Sequence, residues 1–211
     1  MFISTLFKDP RTFAVLVLLV TFSVCVHEYL HAWVAMKMGD PTAADRGHLT
    51  LNPFKQMGFI SLLMLLFIGL AWGQIPVDLR NLPTRGKRIA VALSGVGGNL
   101  LLAVIFSLLS LMVLKYLPGN IYAVWMLRNG AILNIVLLII NLLPVPGFDG
   151  FMVVREYLRI RTEKAAEAAN AAFFIIVMLM FFFMDKIMNY AEYAVDLLMY
   201  LFTLIPGVFH R

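Results

Sequence analysis

The sequence predicts an all-α polytopic membrane protein with about five to six transmembrane helices, and its composition is the first reason. Of its 211 residues, 62% are apolar and 14% are charged, whereas a soluble domain has about 45–50% apolar and about 25% charged residues. The mean hydropathy is +0.88. Several apolar stretches also approach the ~20 residues with which a helix crosses a bilayer. We therefore expect residues 1–211 to form a single integral-membrane domain, surrounded by the lipid bilayer.

Charge and cysteine content exclude other classes of protein. The chain has 17 Lys and Arg residues, 12 Asp and Glu residues and one cysteine. One cysteine cannot form a disulfide scaffold, and a nucleic-acid-binding domain would gather its basic residues on a polar face. We expect no nucleic-acid partner and interpret the basic excess as the positive-inside bias of a membrane protein. The oligomeric state stays open.

The first half of the chain contains one clear span and one ambiguous segment. Residues 12–36 are long enough to cross a bilayer, and the Gly-Asp-Pro sequence at 39–41 ends that helix. Residues 59–72 are apolar but short, so they either cross a thin region or re-enter the side from which they came. Residues 72–82 contain a proline and a partial alternation of apolar residues. They predict either a short membrane-associated edge strand or an ordinary polar loop.

The second half begins with two further spans. Residues 89–114 are uniformly apolar, and residues 129–143 form an apolar helix that carries Asn134 and Asn141. The sequence Pro-Val-Pro-Gly at 144–147 breaks this helix. A broken helix at membrane depth usually lines a site.

The last two predicted helices are separated at residues 185–187. Residues 165–184 are rich in Ala and Phe and predict a span. Residues 188–205 are apolar enough to cross, but Glu192 and Asp196 lie four residues apart and therefore on one helix face. This segment either spans the bilayer or lies at its surface as an amphipathic helix.

The first predicted span carries the pattern His27-Glu28-x-x-His31. On a helix, histidines at i and i+4 face one way and can bind one zinc ion, with the glutamate beside them as a general base. An unpaired glutamate inside a bilayer costs at least ~3 kcal/mol. The alternative is a set of buried polar groups that hydrogen-bond neighbouring helices. Metal binding explains the group better.

A catalytic zinc site needs a third protein ligand and an open position for water. Among the acidic residues, Glu28 and Asp149 lie deepest in clear membrane segments, and Asp149 follows the helix break. The sequence therefore favours Asp149 as the third ligand. An N-cap of the following helix is the alternative interpretation of Asp149.

These residues belong to three short motifs that resemble those of the site-2 protease family of intramembrane metalloproteases. The similarity covers about residues 20–155 and coincides with the expected zinc-binding core, about residues 12–155. Val96, Gln56 and Gly58 depart from the usual family residues. The motifs are His27-Glu28-x-x-His31, Ser94-Gly95-x-x-x-Asn99 and Asn141-x-x-Pro144-x-x-x-x-Asp149-Gly150.

The resemblance implies a function and a role for each matching residue. His27, His31 and Asp149 would bind one Zn²⁺ per chain, and Glu28 would activate the water. Asn141 would hold the substrate or stabilise the oxyanion. The substrate would be a transmembrane segment of another protein. The length predicts a minimal form, without a PDZ or CBS module.

Asn99 is a weaker candidate for the same substrate or oxyanion role. It lies at the start of the 89–114 span, behind Gly97 and Gly98. Small residues suggest close helix packing, and an interhelical hydrogen bond explains Asn99 equally well.

The three expected ligands must lie at one depth, and this requirement constrains the topology. If residues 59–72 crossed the bilayer, the histidines and Asp149 would lie in opposite halves of it. A re-entrant 59–72 segment brings them together and places most basic residues at one end of the helices. We expect a multi-pass protein of a prokaryotic cell membrane, with the N-terminus outside and the active site towards the cytoplasmic side.

Two other functions remain alternatives. The first is a catalytically inactive relative that binds membrane proteins. The second is another type of membrane metallopeptidase, for which Glu192 is the remote candidate for a third ligand.

Overall fold

The computed structural model describes residues 3–158 and 163–205, with the backbone alone for residues 163–181, and these residues are predominantly helical. No strand occurs among the described residues. The expectation of an all-α membrane protein is therefore confirmed. The helices are α1 (Ser4–Lys8), α2 (Pro10–Met38), α3 (Thr42–Asp45), α4 (Pro53–Gln56), α5 (Gly58–Ile68), α6 (Arg85–Tyr116), α7 (Ile121–Leu142), α8 (Asp149–Leu158) and α9 (Glu163–Thr203).

Local sequence signals set both ends of α2. The Asp9 side chain accepts hydrogen bonds from the amides of Arg11 and Thr12, and Pro10 occupies the first turn. At the other end Gly39 adopts a φ of 112°, a left-handed conformation that stops the helix.

Within the described residues, α2, α6 and α7 have the length and hydropathy to cross a membrane. Two of the predicted spans correspond to α2 and α6. Helix α7 begins eight residues before the predicted start at residue 129, because the Asn120 side chain accepts from the amide of Ala123 and caps it there.

Helix α5 enters the bundle and does not cross it. Its 11 residues extend about 16 Å, roughly half the thickness of a hydrocarbon core. After Gly69 the chain folds back along the helix, where Ser61 Oγ accepts from the amide of Trp72 and donates to its carbonyl oxygen. The amide of Gln74 then donates to the carbonyl of Gln56, just before α5 begins. Residues 57–73 therefore form a hairpin whose two ends meet, which is the shape expected of the re-entrant segment.

Of the two interpretations of residues 72–82, the structure agrees with the loop and contains no strand there. These residues form an extended connection with a short 3-10 helix at Leu79–Asn81. Hydrogen bonds hold this connection at the end of α2. The Asp40 carboxylate accepts one from the amide of Asp78 and one from the Asn81 side chain. The backbone amides of this connection therefore donate to Ser61, Asp40 and the Gln56 carbonyl, and none of them pairs with a strand.

One helix, α9, replaces the two helices expected at 165–184 and 188–205. The side chains of residues 165–181 lie outside the described part of the chain, so the first of these spans is not tested. In the second segment, Ala191 and Val195 are fully buried against α6 and α7. Asp196 pairs with Arg128 of α7 at 2.8 Å. This part of α9 packs against the bundle.

Candidate metal centre

Helix α2 presents His27 and His31 on one face, one turn apart. Both are buried, and their Nε2 atoms lie 2.9 Å from each other. The rings are nearly perpendicular, with centroids 4.5 Å apart. This is the convergence that the i, i+4 spacing predicts.

The break between α7 and α8 turns Asp149 towards these histidines. Gly147 has a φ of 93°, and Gly150 packs against the carbonyl oxygens of Leu142 and Leu143, so glycine is required at both positions. The Asp149 carboxylate lies 3.2 Å from the Nε2 atom of each histidine, through Oδ2 to His27 and Oδ1 to His31.

The outer ring nitrogens fix which tautomer each histidine adopts. His27 Nδ1 lies 2.6 Å from Asn99 Oδ1, and His31 Nδ1 lies 2.7 Å from the Val91 carbonyl oxygen. Carbonyl and amide oxygens only accept, so each Nδ1 carries the proton and donates it. In the neutral rings, both Nε2 lone pairs therefore point towards Asp149.

Three electron-rich groups thus meet inside an apolar bundle. Asp149 Oδ2 is buried and has no hydrogen-bond partner among the described residues, and such a group is stable only when a cation compensates it. Ligands at Zn–N and Zn–O distances of about 2.0–2.1 Å in a tetrahedron lie about 3.3 Å apart, close to the observed 2.9 and 3.2 Å. Two imidazoles and a carboxylate suit zinc, and the residues present fit it.

Within the described residues, His27, His31 and Asp149 are the set of side chains that could hold a metal ion. Glu192, the alternative third ligand, lies exposed on α9 and does not join them. The N-cap alternative for Asp149 receives no support from Oδ2, which makes no hydrogen bond.

Glu28 lies beside this cluster and is 7% exposed. Its carboxyl group is close enough to His27 and Asp149 to interact electrostatically with both. Gly73, at the return of the re-entrant hairpin, packs directly against the Glu28 carboxyl: a Cβ there would lie 2.5 Å from Oε1. The hairpin therefore covers the general-base candidate.

Helix α6 approaches the histidines through Gly95. A Cβ at this position would lie 2.5 Å from the Nε2 atoms of both His27 and His31. The family-like Ser94-Gly95 element therefore leaves the space that a metal ion would need. Ser94 Oγ also lies 3.2 Å from His31 Nδ1 and donates to the Val91 carbonyl.

Asn99, the weaker substrate or oxyanion candidate, bonds other residues of the bundle through its side chain, and a role towards substrate stays a prediction. It is fully buried, its Oδ1 accepts from His27, and its Nδ2 donates to Asn134 Oδ1 at 3.0 Å. Both polar atoms of Asn99 therefore bond side chains of neighbouring helices, as the interhelical alternative expects.

Asn141 lies in the last turn of α7 and is partly exposed. Its Nδ2 donates to the Leu137 carbonyl one turn earlier, and its role towards a substrate stays a prediction. Cys25 faces away from the histidines and packs among Val24, Met57 and Leu65.

Sequence reasoning missed Gly73, Asn134 and Ser23. Asn134 and Ser23 carried a signal: a polar residue in an apolar span is unusual, and Ser23, His27 and His31 follow one another at intervals of four on one face of α2. Gly73 carried none, because its neighbour Glu28 is distant in sequence.

Known proteins resemble this chain in sequence. The model of peptidase family M50 matches residues 119–184. YwhC of Bacillus subtilis is 35% identical over 156 residues, which cover 68% of this chain and 68% of YwhC. Rip2 of Mycobacterium tuberculosis is 37% identical over 155 residues, and Rip2 of Mycolicibacterium smegmatis is 34% identical over 154 residues. All three are named as candidate zinc metalloproteases.

The chain belongs to peptidase family M50, the site-2 protease family of membrane metalloproteases. Its match to both Rip2 proteins covers 70% of this chain and 58% of theirs. No solved structure matches it.

Proposed function

We propose that this protein is an intramembrane zinc endopeptidase that cuts a transmembrane segment of another membrane protein, as in regulated intramembrane proteolysis. The convergence of His27, His31 and Asp149 beside Glu28, within apolar helices, is the observation that carries the proposal. Family membership and the names of the relatives agree with it.

Each residue has a distinct role in the proposed reaction. A bound zinc ion, held by His27, His31 and Asp149, would lower the pKa of water and polarise the peptide carbonyl. Glu28 accepts a proton from the attacking water and later donates it to the leaving amine. Asn99 and the Val91 carbonyl hold the two imidazoles with their Nε2 lone pairs facing inward.

The substrate would be a single membrane-spanning segment that unwinds locally, because a helical peptide bond is hydrogen-bonded and sterically covered. Asn141 would contact the unwound peptide or its oxyanion. The extended connection at residues 72–78 lies next to Glu28 and is the natural place for main-chain pairing with such a peptide.

We also propose that the site faces the cytoplasm of a prokaryotic cell, with the N-terminus outside. Basic side chains concentrate at the helix ends nearest the site, where they fit the positive-inside rule. Trp33 lies under Lys37 near the end of α2, and Tyr122 stacks on Trp125 near the start of α7. These aromatic residues suit the two interfaces. The basic residues at this end of the helices and in the connections beside it are Lys37, Arg46, Lys55, Arg80, Arg85, Lys87, Arg88 and Arg155.

Co-expression with a panel of single-span membrane proteins tests the function. We expect the wild type to release a cleaved product from at least one of them. Glu28→Gln should reduce cleavage by at least about 100-fold, the lower range for a general base, and keep its zinc. Glu192→Gln, an exposed acid on α9, is the matched control and should cleave normally.

The co-expression panel and the zinc content of two further variants together separate the alternatives. A wild-type protein that binds a partner but leaves every member of the panel intact would favour the catalytically inactive relative. Loss of zinc in Glu192→Ala, with zinc retained in Asp149→Ala, would favour the other type of metallopeptidase. Full cleavage by Glu28→Gln would exclude the proposed base.

A further inference from the structure

A buried chain of hydrogen bonds runs from His27 through α6 and α7 and returns to α2. His27 Nδ1 donates to Asn99 Oδ1 at 2.6 Å, and Asn99 Nδ2 donates to Asn134 Oδ1 at 3.0 Å. Asn134 Nδ2 then donates to Ser23 Oγ and to the Gly130 carbonyl, both at 2.9 Å. Asn99, Asn134 and Ser23 are all fully buried.

The last bond fixes the direction of the whole chain. A backbone carbonyl can only accept, so the amide of Asn134 must turn its Nδ2 towards Gly130. Its Oδ1 then faces Asn99, and only the Nδ2 of Asn99 can meet it. The Oδ1 of Asn99 therefore faces His27, and His27 must donate to it from a protonated Nδ1.

We propose that Asn134 is a positioning residue that sets the tautomer of His27 from a distance, with Ser23 as its second acceptor. The proposal rests on the metal site of the proposed function. Without Asn134, the Asn99 amide is free to rotate by half a turn and present its Nδ2 to His27. The ring would then accept at Nδ1 and carry its proton on Nε2, where the lone pair for the metal is needed.

His31 supplies an internal reference. Its Nδ1 faces the backbone carbonyl of Val91, which no side-chain substitution reverses. A change in Asn134 should therefore alter the tautomer of His27 and leave that of His31 unchanged. General damage to the fold would disturb both rings.

The test measures imidazole ¹⁵N chemical shifts in metal-free, detergent-solubilised protein labelled with ¹⁵N-histidine. The chain has four histidines, and a His48→Gln, His210→Gln background leaves the two of interest. We expect both rings to carry a proton on Nδ1 in this background. Asn134→Leu should move His27 alone to the Nε2–H tautomer and weaken zinc affinity about 10-fold, the lower range for a group behind a ligand.

Three further variants sharpen the result. Asn129→Leu is the matched control, because Asn129 makes the same bond to a carbonyl one turn earlier, that of Trp125, but does not join the relay. Asn99→Asp offers only acceptors to His27 and should restore the Nδ1–H tautomer and the zinc affinity in the Asn134→Leu protein. Asn134→Ala is measured in parallel, so that the test remains possible if Asn134→Leu does not fold.

Retention of the Nδ1–H tautomer of His27 in the folded Asn134 variants would overturn the proposal. An equal change in both rings, or an unchanged zinc affinity after the tautomer shift, would also overturn it. None of these readouts requires proteolysis, so they are independent of a failure to find a substrate.

Discussion

Gly73 lies against the carboxyl group of Glu28, and this contact joins the re-entrant hairpin to the proposed catalytic base. The hairpin is held in this position by two sets of hydrogen bonds. Ser61 bonds both polar groups of the Trp72 backbone, and Gln74 bonds the carbonyl of Gln56. The Glu28 carboxylate is thus positioned by α2 on one side and by the hairpin on the other.

Replacing Gly73 should damage catalysis more than metal binding. In Gly73→Ala the new methyl group overlaps the Glu28 carboxyl, which must move by about 1 Å. A displacement of that size can reduce turnover about 100-fold. Cleavage assays and zinc analysis of the same preparations check this. Gly119→Ala, where nothing lies within 4 Å, should match the wild type, and normal cleavage by Gly73→Ala would refute the positioning role.

Gly95 should be required for the metal itself. A methyl group in Gly95→Ala would occupy the space between the two Nε2 atoms, so the purified variant should contain little zinc. Gly97→Ala is the matched control on the same helix, since its Cβ meets nothing within 4 Å, and removing a helical glycine stabilises by up to about 1 kcal/mol. Equal zinc contents in the two variants would contradict this account of α6.

The end of α2 is locked to the chain before α6 through Asp40, which is fully buried. Its carboxylate accepts from Thr42, from the amide of Asp78 and from Asn81. Bonds to a charged group contribute about 1.5–3 kcal/mol, so Asp40→Ala should lower the free energy of unfolding by about 2–3 kcal/mol. Thermal unfolding of metal-free protein measures this, with the exposed Asp45→Ala as control.

The hydrogen bonds of Asp40 also predict that the stability of the fold depends on pH. Burial raises the pKa of Asp40, but the hydrogen bonds from Thr42, Asn81 and the Asp78 amide outweigh burial and leave the pKa below its ordinary value. The side-chain hydrogen bond from Arg80 lowers the pKa of Asp78 to about 2. A carboxyl with a lowered pKa stabilises the fold above its unfolded value, near 3.9, and loses that contribution as the pH falls through the folded value.

The stability difference between wild type and Asp40→Ala should therefore be largest above about pH 4 and shrink as the pH falls further into the acid range. Melting curves of metal-free protein across this range provide the measurement. A difference that grows as the pH falls would contradict the assigned direction.

The topology predicts which positions an impermeant thiol reagent reaches in intact cells. Native Cys25 is 1% exposed and should stay unlabelled. Asp45→Cys and Gly86→Cys, on either side of the re-entrant hairpin, should both be protected until the cells are opened. Gly119→Cys, in the α6–α7 turn, should react at once. Opposite behaviour of positions 45 and 86 would show that the hairpin crosses the bilayer.

Patterns local in sequence predicted which side chains converge, and their role as zinc ligands stays a prediction. The i, i+4 spacing of His27 and His31 is a property of one helix, and Asp149 follows an obvious break. The re-entrant segment follows from the requirement that the three expected ligands lie at one depth in the bilayer. The Gln74–Gln56 bond supports it.

Features that depend on packing between helices were not predictable in the same way. The role of Asn99 depends on its neighbour in α7, and the contact of Gly73 with Glu28 depends on how the hairpin folds back. The expected break between the last two helices was wrong, because residues 185–187 contain neither glycine nor proline and the helix continues through them.

Zinc content tests the central claim most directly. Purified wild type, Glu28→Gln, Asp149→Ala and Asp45→Ala are compared by elemental analysis after identical dialysis. We predict about one zinc per chain in the wild type, Glu28→Gln and Asp45→Ala, as expected for a site with three protein ligands. Asp149→Ala should retain far less than one. Stoichiometric zinc in Asp149→Ala, or a zinc-free wild type, would contradict the proposed metal centre.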